Sequence, residues 1–175
     1  MAKKFIGFDA LKRAVTLVLE ALQAEITSAE DKMAHCCGRN LLKKSAVSHV
    51  NANYEIANYD LTDDLQEGET VTLTLYGSLG SDRTRFQAFN SGGYAALSRL
   101  AEFKADGYGR MVSKTTFKWT KKVSSGQPTP SNKSLRIYQM PNTGTSKSTI
   151  TKAKFERGGI STDWCPAFED FQPVT

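Results

Sequence analysis

The feature that most constrains this chain is a change in the spacing of its apolar residues, which is helical at the start and alternating thereafter. Phe8, Leu11, Val15, Val18 and Leu22 recur at alternating intervals of three and four, and Ile26, Ala29 and Met33 continue the stripe after a one-residue stagger. Residues on such a stripe lie above one another on one side of a helix, which is predicted from Phe5 to about Met33. Asp9 is a suitable N-cap, because its carboxylate can accept from the free amides of the first turn. Ala10, Ala14, Leu17 and Ala21 add a second apolar face, so the helix must be covered on more than one side. Cover can come from the rest of the chain, from further copies, or from a larger assembly. No second helical pattern follows, which favours association.

Past Cys36 and Cys37 the period becomes two. In Thr70–Tyr76, Val71, Leu73 and Leu75 point one way and the threonines the other, the pattern of a half-buried antiparallel strand preceded by the turn Gln66–Glu69. Short runs at Arg85–Phe89, Lys114–Trp119, Ser134–Tyr138 and Ser148–Phe155 follow, separated by Gly, Ser, Asn and Pro clusters. Ser124–Lys133, with Gly126, Pro128 and Pro130, is the clearest surface loop. Evenly spaced short strands of this kind predict a β-sandwich or barrel, and no internal repeat is present.

A length of 175 residues leaves room for one ordinary domain plus a short extra element. The 39% hydrophobic, 10% aromatic and 23% charged fractions are those of folded globular chains, which excludes disorder, collagen and a disulfide-dense scaffold. Asp9, Lys12, Arg13 and Glu20 interrupt the one stretch that could have been a membrane span or a signal h-region, so neither is expected. Cys36 and Cys37 are adjacent, where a disulfide is strained, and three cysteines cannot all pair, so free thiols are expected. The net charge of +5 suits an acidic partner without specifying one.

Two segments bracketing the strand-rich region carry a family likeness. Gly38-Arg39-Asn40-Leu41-Leu42-Lys43-Lys44-Ser45 resembles the opening of jelly-roll domains found in tailed-bacteriophage tail and appendage proteins. Lys154-Phe155-Glu156-Arg157-Gly158, with Thr162-Asp163-Trp164-Cys165-Pro166-Ala167-Phe168-Glu169-Asp170, resembles their ending. Tyr59–Thr62, Glu67–Leu73 and Leu135–Tyr138 are similar to strands between them. The family often has Leu at the position of Phe155, and Pro or a small residue at those of Cys165 and Phe168. These domains are similar to carbohydrate-binding modules. The resemblance covers roughly residues 38–175 and implies a mainly β fold, an antiparallel jelly-roll β-sandwich preceded by an N-terminal α-helix. The expected division is residues 1–37 for oligomerisation or virion anchoring, through Phe8, Leu11, Val15, Val18, Leu22 and Ile26, and residues 38–175 for the jelly roll.

The resemblance implies a non-enzymatic virion structural protein, a fibre or appendage component assembled in the host cytoplasm. Its expected partners are other virion proteins and further copies of itself, with a trimer favoured. A host-glycan-binding receptor module and a capsid decoration protein are the alternatives, and a host surface polysaccharide would be the partner of the former. Sugar recognition needs flat aromatic faces beside amides and charged groups, for which Tyr54, Tyr59, Tyr76, Phe86, Phe89, Tyr94, Tyr108 and Trp119 are available. Trp119, ringed by Lys118, Lys121 and Lys122, is the first candidate, and Phe89, Asn90 and Tyr94 form the second.

In the closing segment, Phe155 and Trp164 are expected to cap the sandwich and Glu156 to pair with Arg157 across a turn. Asp163, Glu169 and Asp170 are the candidates for a structural calcium, the only cofactor considered, since hard cations need several oxygen ligands. His35 with Cys36 and Cys37 lacks the spacing by which thiolates converge on zinc. Ser78-Leu79-Gly80 lacks the first glycine of a nucleophile elbow, and no phosphate loop is present, so no enzyme is expected. Lysines such as Lys114, Lys118, Lys121 and Lys122 are scattered without a nucleic-acid motif, which makes nucleic acid an unexpected partner.

Overall fold

A computed structural model describes residues 7–36, 38–93, 98–100, 103–125 and 133–171, with the backbone alone described at 28–36 and 98–100. The chain divides into two compact units, residues 1–36 and 37–175.

The first unit is helix α1, Phe8–Cys36. At 29 residues it is roughly 44 Å long. Gly7 supplies the carbonyl that accepts from the Ala10 and Leu11 amides, so Gly7 occupies the cap and Asp9 sits inside the first turn. The expectation of Asp9 as N-cap is thereby corrected by two positions. Its negative charge still complements the positive end of the helix dipole.

The second unit is built of nine strands: β1 His49–Asn51, β2 Glu55–Asp60, β3 Thr70–Ser78, β4 Arg85–Asn90, β5 Ser98–Leu100, β6 Lys104–Ala105, β7 Met111–Lys118, β8 Ser134–Met140 and β9 Ser148–Arg157. One sheet has the order β1-β9-β3-β7-β6 and the other β2-β8-β4-β5, with every neighbouring pair antiparallel. Early strands pair with late ones in reverse order, β1 with β9, β2 with β8, β3 with β7 and β4 with β5. That wrapping of two four-stranded sheets is the jelly roll, here with β6 added at one edge. The short strands β1, β5 and β6 span two or three residues, too few for alternation to be read from sequence.

The inward faces make the core. Val71, Leu73 and Leu75 of β3 meet Phe117 of β7, Ala153 and Phe155 of β9, and Phe86, Leu135 and Ile137 of the opposite sheet. Phe155 is fully buried between Phe117, 5.9 Å away, and Trp119, 5.8 Å away, so it lies within the core rather than capping it. The outward face of β3 is not solvated as the alternation predicts, for Thr72 and Thr74 are buried as well. Residues 158–165 fold back across it: Thr72 Oγ1 donates to the Gly158 carbonyl, and Lys154 Nζ donates to Thr162 Oγ1 and the Asp163 carbonyl. Lys154 lies 3.5 Å from Glu156, and both side chains are out of contact with solvent. Glu156 therefore pairs with Lys154 and Thr162, while Arg157 pairs with Glu69 and Asp63, so the expected Glu156–Arg157 pair does not form.

The opening and closing segments meet at the strand edge that β1 leaves uncovered. Asn40 serves as a substitute strand there: its Oδ1 accepts from the Phe155 and Leu42 amides, and its Nδ2 donates to the carbonyls of Ala153 and Cys165 and to Ser45 Oγ. Leu41 N–H bonds the Phe155 carbonyl, Ala153 N–H the Ser45 carbonyl, and Trp164 Nε1–H the Ala153 carbonyl. The amides and carbonyls of Ala153 and Phe155 on this edge are thereby engaged within the chain.

Candidate functional site

Two surfaces have the features of a site. The first is the apolar stripe of α1, where Phe8, Leu11, Val15, Val18, Leu22 and Ile26 are each between 50% and 71% exposed. Phe8 is touched by Lys12, whose ammonium lies 4.7 Å from the ring centre. No described helix is long and apolar enough to cross a membrane.

The second surface is a hollow of about 340 Å³ on the outward face of the five-stranded sheet, lined by Tyr76, Gly77, Arg110, Met111, Thr151 and Lys152. Its floor is created by a β-bulge. Tyr76 of β3 pairs with Lys152 but Gly77 pairs with Ile150, leaving Thr151 as the extra residue. Thr151 and Lys152 are consequently both exposed, which breaks the alternation of β9 and places two polar side chains together. Gly77 has φ near +153°, and a Cβ there would collide with the Thr149 carbonyl, so the bulge depends on glycine.

The β6–β7 hairpin forms one wall. Asp106 Oδ1 accepts from the Tyr108 and Arg110 amides, and its Oδ2 lies 2.5 Å from Arg110 Nε. Arg110 also reaches Asp163 at 3.1 Å and lies over the rings of Tyr76 and Tyr108, at 5.4 and 4.9 Å. Tyr108 is 78% exposed. On the other side Lys152 lies 4.4 Å from the ring centre of the half-buried Trp164. Burial pushes the Tyr76 hydroxyl up, against the pull of Arg110. Burial also works to raise Asp106, but the hydrogen bonds from Arg110 and Tyr108 outweigh it and hold its carboxyl below the usual range. The guanidinium is thus fixed between two carboxylates and two rings, with 41% of its side chain still open to solvent.

The sequence-based sugar candidates fare differently. Trp119 is wholly buried, because Thr115, Phe117 and Trp119 continue one inward-facing parity while the lysines around it take other directions. Phe89 is buried against Tyr138, with ring centres 4.3 Å apart. Asn90 is buried too, donating to the Thr120 and Lys122 carbonyls and accepting from the Gly92 amide. These three correct the expectation of an exposed platform; Tyr94 lies outside the described residues. The carboxylates proposed for calcium are drawn apart into separate bonds: Asp163 to Arg110, Glu169 to Arg39, and Asp170 Oδ1 to the Lys44 amide at 2.7 Å. Among the described residues no three His, Cys, Asp or Glu side chains are gathered for a metal, which corrects that candidate. His35 and Cys36 have no described side chains, Cys37 lies outside the described residues, and Cys165 is a free thiol. Tyr76 and Tyr108 both belong to the wider set of aromatics, and the sequence signal that singles out Tyr108 is the Asp106-Gly107-Tyr108-Gly109-Arg110 hairpin turn.

Fold and surfaces together define a mainly β protein, a jelly-roll β-sandwich with a separate N-terminal helix. No family model matches the chain, and no curated protein matches its sequence. Among solved structures it is similar to the tripod from the baseplate of bacteriophage Tuc2009, at 12% identity and a TM-score of 0.43 over 76% of this chain. The match spans 60% of that protein's chain.

Proposed function

We propose that this protein is a non-enzymatic structural component of a tailed-phage particle, a fibre or appendage part in which α1 assembles several copies, a trimer by preference, and the jelly roll is displayed on other virion proteins. The observation that carries the reading is the stripe of six large apolar side chains on α1, each at least half exposed. An isolated helix is stabilised in water mainly by covering such a face. The alternating three-and-four spacing suits the seam between copies of the same helix. Each stripe residue covered would contribute about 1.5–3 kcal/mol, which suits a helix whose order depends on assembly. The resemblance of residues 38–45 and 154–170 to phage appendage jelly rolls supports the particle assignment.

Sedimentation equilibrium of the full chain tests this, beside a Val15→Glu, Leu22→Glu double variant. The expected result is an oligomer for the parent and a monomer for the variant, with unchanged tryptophan fluorescence from the sandwich. A monomeric parent, or a variant that associates as the parent does, would refute assembly through α1. Stoichiometric presence of the protein in purified particles tests the virion assignment separately.

A further inference from the structure

We propose that Cys37 and Cys165 are a disulfide-forming pair, kept as thiols in a reducing compartment and oxidised outside one, which fastens the start of the sandwich unit to its closing segment. Both cysteines belong to the second unit, so the inference does not depend on what α1 assembles or mounts.

The fold sets one thiol against the chain neighbour of the other. Cys165 is a free, half-buried cysteine, and its Sγ lies 3.7 Å from the Gly38 carbonyl oxygen. Cys37 lies outside the described residues, and its nearness follows from the chain itself: it is bonded to Gly38, so their Cα atoms are about 3.8 Å apart. A tether of that length can bring the Cys37 and Cys165 Cα atoms to the roughly 4.4–6.8 Å at which a disulfide closes. Both anchors are held in place. Gly38 has φ near +55° and passes so close to the buried Glu156 that a Cβ would collide with its carboxylate. The Cys165 carbonyl accepts from Asn40 Nδ2 at 2.9 Å, and the preceding Trp164 donates to the Ala153 carbonyl at 3.1 Å. Cys36 is the last residue of α1 and belongs to the first unit, and a bond between it and the adjacent Cys37 would be strained, which leaves Cys37 and Cys165 as the pair.

The oxidant is a small-molecule disulfide such as glutathione disulfide. The thiolate of one cysteine attacks a sulfur of that molecule, giving a mixed disulfide and one glutathione thiolate, and the second cysteine thiolate then displaces the other glutathione. One S–S bond breaks and one forms, the two protein thiols give up two protons and two electrons, and both glutathiones leave as thiols. Gly38 and Cys165 are 127 positions apart, so the bond closes a ring around most of the sandwich sequence, a long loop whose closure strongly restricts the unfolded chain. In the folded protein it adds a covalent tie beside the Asn40 amide, which already joins the same two segments through Ala153 and Cys165.

The test is non-reducing peptide mapping and urea unfolding of the full chain, incubated with glutathione disulfide and in parallel with dithiothreitol. Trypsin cuts after Lys32, Arg39 and Arg157, so the bond links peptide 33–39 to peptide 158–175 of the same chain. The expected result is that linked pair, lighter by two hydrogen atoms than the free peptides together, in the oxidised parent and in Cys36→Ser, and its absence from Cys37→Ser and Cys165→Ser. The oxidised parent should unfold at a urea concentration about 1–2 M above that of the reduced parent, a difference that Cys37→Ser should abolish. Comparing oxidised with reduced parent needs no substitution, which keeps the test meaningful if a variant is unstable. Unlinked peptides in the oxidised parent, a link that survives Cys37→Ser, a link found only between two chains, or an unchanged urea midpoint would each overturn the proposal.

Discussion

Replacing Asn40 by Ala should remove the fastening between the two ends of the sandwich sequence. Asn40 is 1% exposed and its side-chain amide makes five contacts within hydrogen-bond distance. After truncation the Ser45 hydroxyl can turn to another partner, and the Ala153 carbonyl keeps the Trp164 indole at 3.1 Å. Three main-chain groups lose their side-chain partner: the Phe155 and Leu42 amides and the Cys165 carbonyl. Each buried group so orphaned costs ~1–3 kcal/mol, and partial relaxation places the sum at about 3–5 kcal/mol. That is a large share of the ~5–15 kcal/mol by which a domain is stable. With a urea slope of about 2 kcal/mol/M, the midpoint should fall by about 2 M. Tryptophan fluorescence is the assay, since both tryptophans, Trp119 and Trp164, lie in the sandwich and α1 is silent. The neighbouring Arg39→Ala is the control, because its ion pairs with Asp63 and Glu169 are partly exposed and are worth at most ~1 kcal/mol each. A loss below ~1 kcal/mol for Asn40→Ala at unchanged slope, or one no larger than that of Arg39→Ala, would refute the reasoning.

Truncating one member of the buried Lys154–Glu156 pair should cost more than replacing both. Lys154→Ala is expected to lose ~3–5 kcal/mol, while Lys154→Met with Glu156→Leu should lose clearly less, as read by the same urea midpoints. Phe155→Ala should cost ~3–5 kcal/mol through the cavity left between Phe117 and Trp119, and Phe155→Leu, which leaves a smaller cavity, much less. In alkali, burial and then the Glu55 carboxylate push the Tyr138 hydroxyl up to about 12, and burial carries Tyr59 higher still. Raised values favour the neutral phenols in the folded state, so this stability is complete below about pH 10 and is lost as pH rises from there toward 12. Phenolate absorbance should therefore lag for these residues and appear together with unfolding; simple titration of all six tyrosines near pH 10 would contradict it. In acid, the Ser146 hydroxyl and then the Thr145 amide hold the Asp82 carboxyl well below its usual range. Its contribution is complete above about pH 4 and is lost as pH falls below that value, so Asp82→Asn should flatten the pH dependence of the melting temperature there.

The parts of this protein that sequence alone determined are those with a local period. Spacing of three and four marked α1, alternation marked β3, and short runs between turn clusters marked β4, β7, β8 and β9, because these patterns follow from the geometry of a single segment. Trp119 went the other way: its lysine neighbours led to the expectation of an exposed ring, while the structure continues the inward parity of Phe117 and buries it. The jelly-roll fold was expected through the resemblance rather than through any local rule, and the meeting of the two bracketing segments was not expected at all.

Tertiary structure decided the rest. Whether the second face of β3 is wet depends on a chain segment more than eighty residues away that folds across it, as the Thr72–Gly158 bond records. The role of Asn40 exists only because Ala153, 113 positions later, presents an uncovered strand edge. The same holds for the hollow: an extra residue at Thr151 turns two neighbouring side chains outward, and a hairpin from elsewhere in the chain sets Arg110 between Asp106 and Asp163. Alternation assigns each residue a face, but what lies against that face is fixed by pairings between segments far apart in the chain, which no local period encodes.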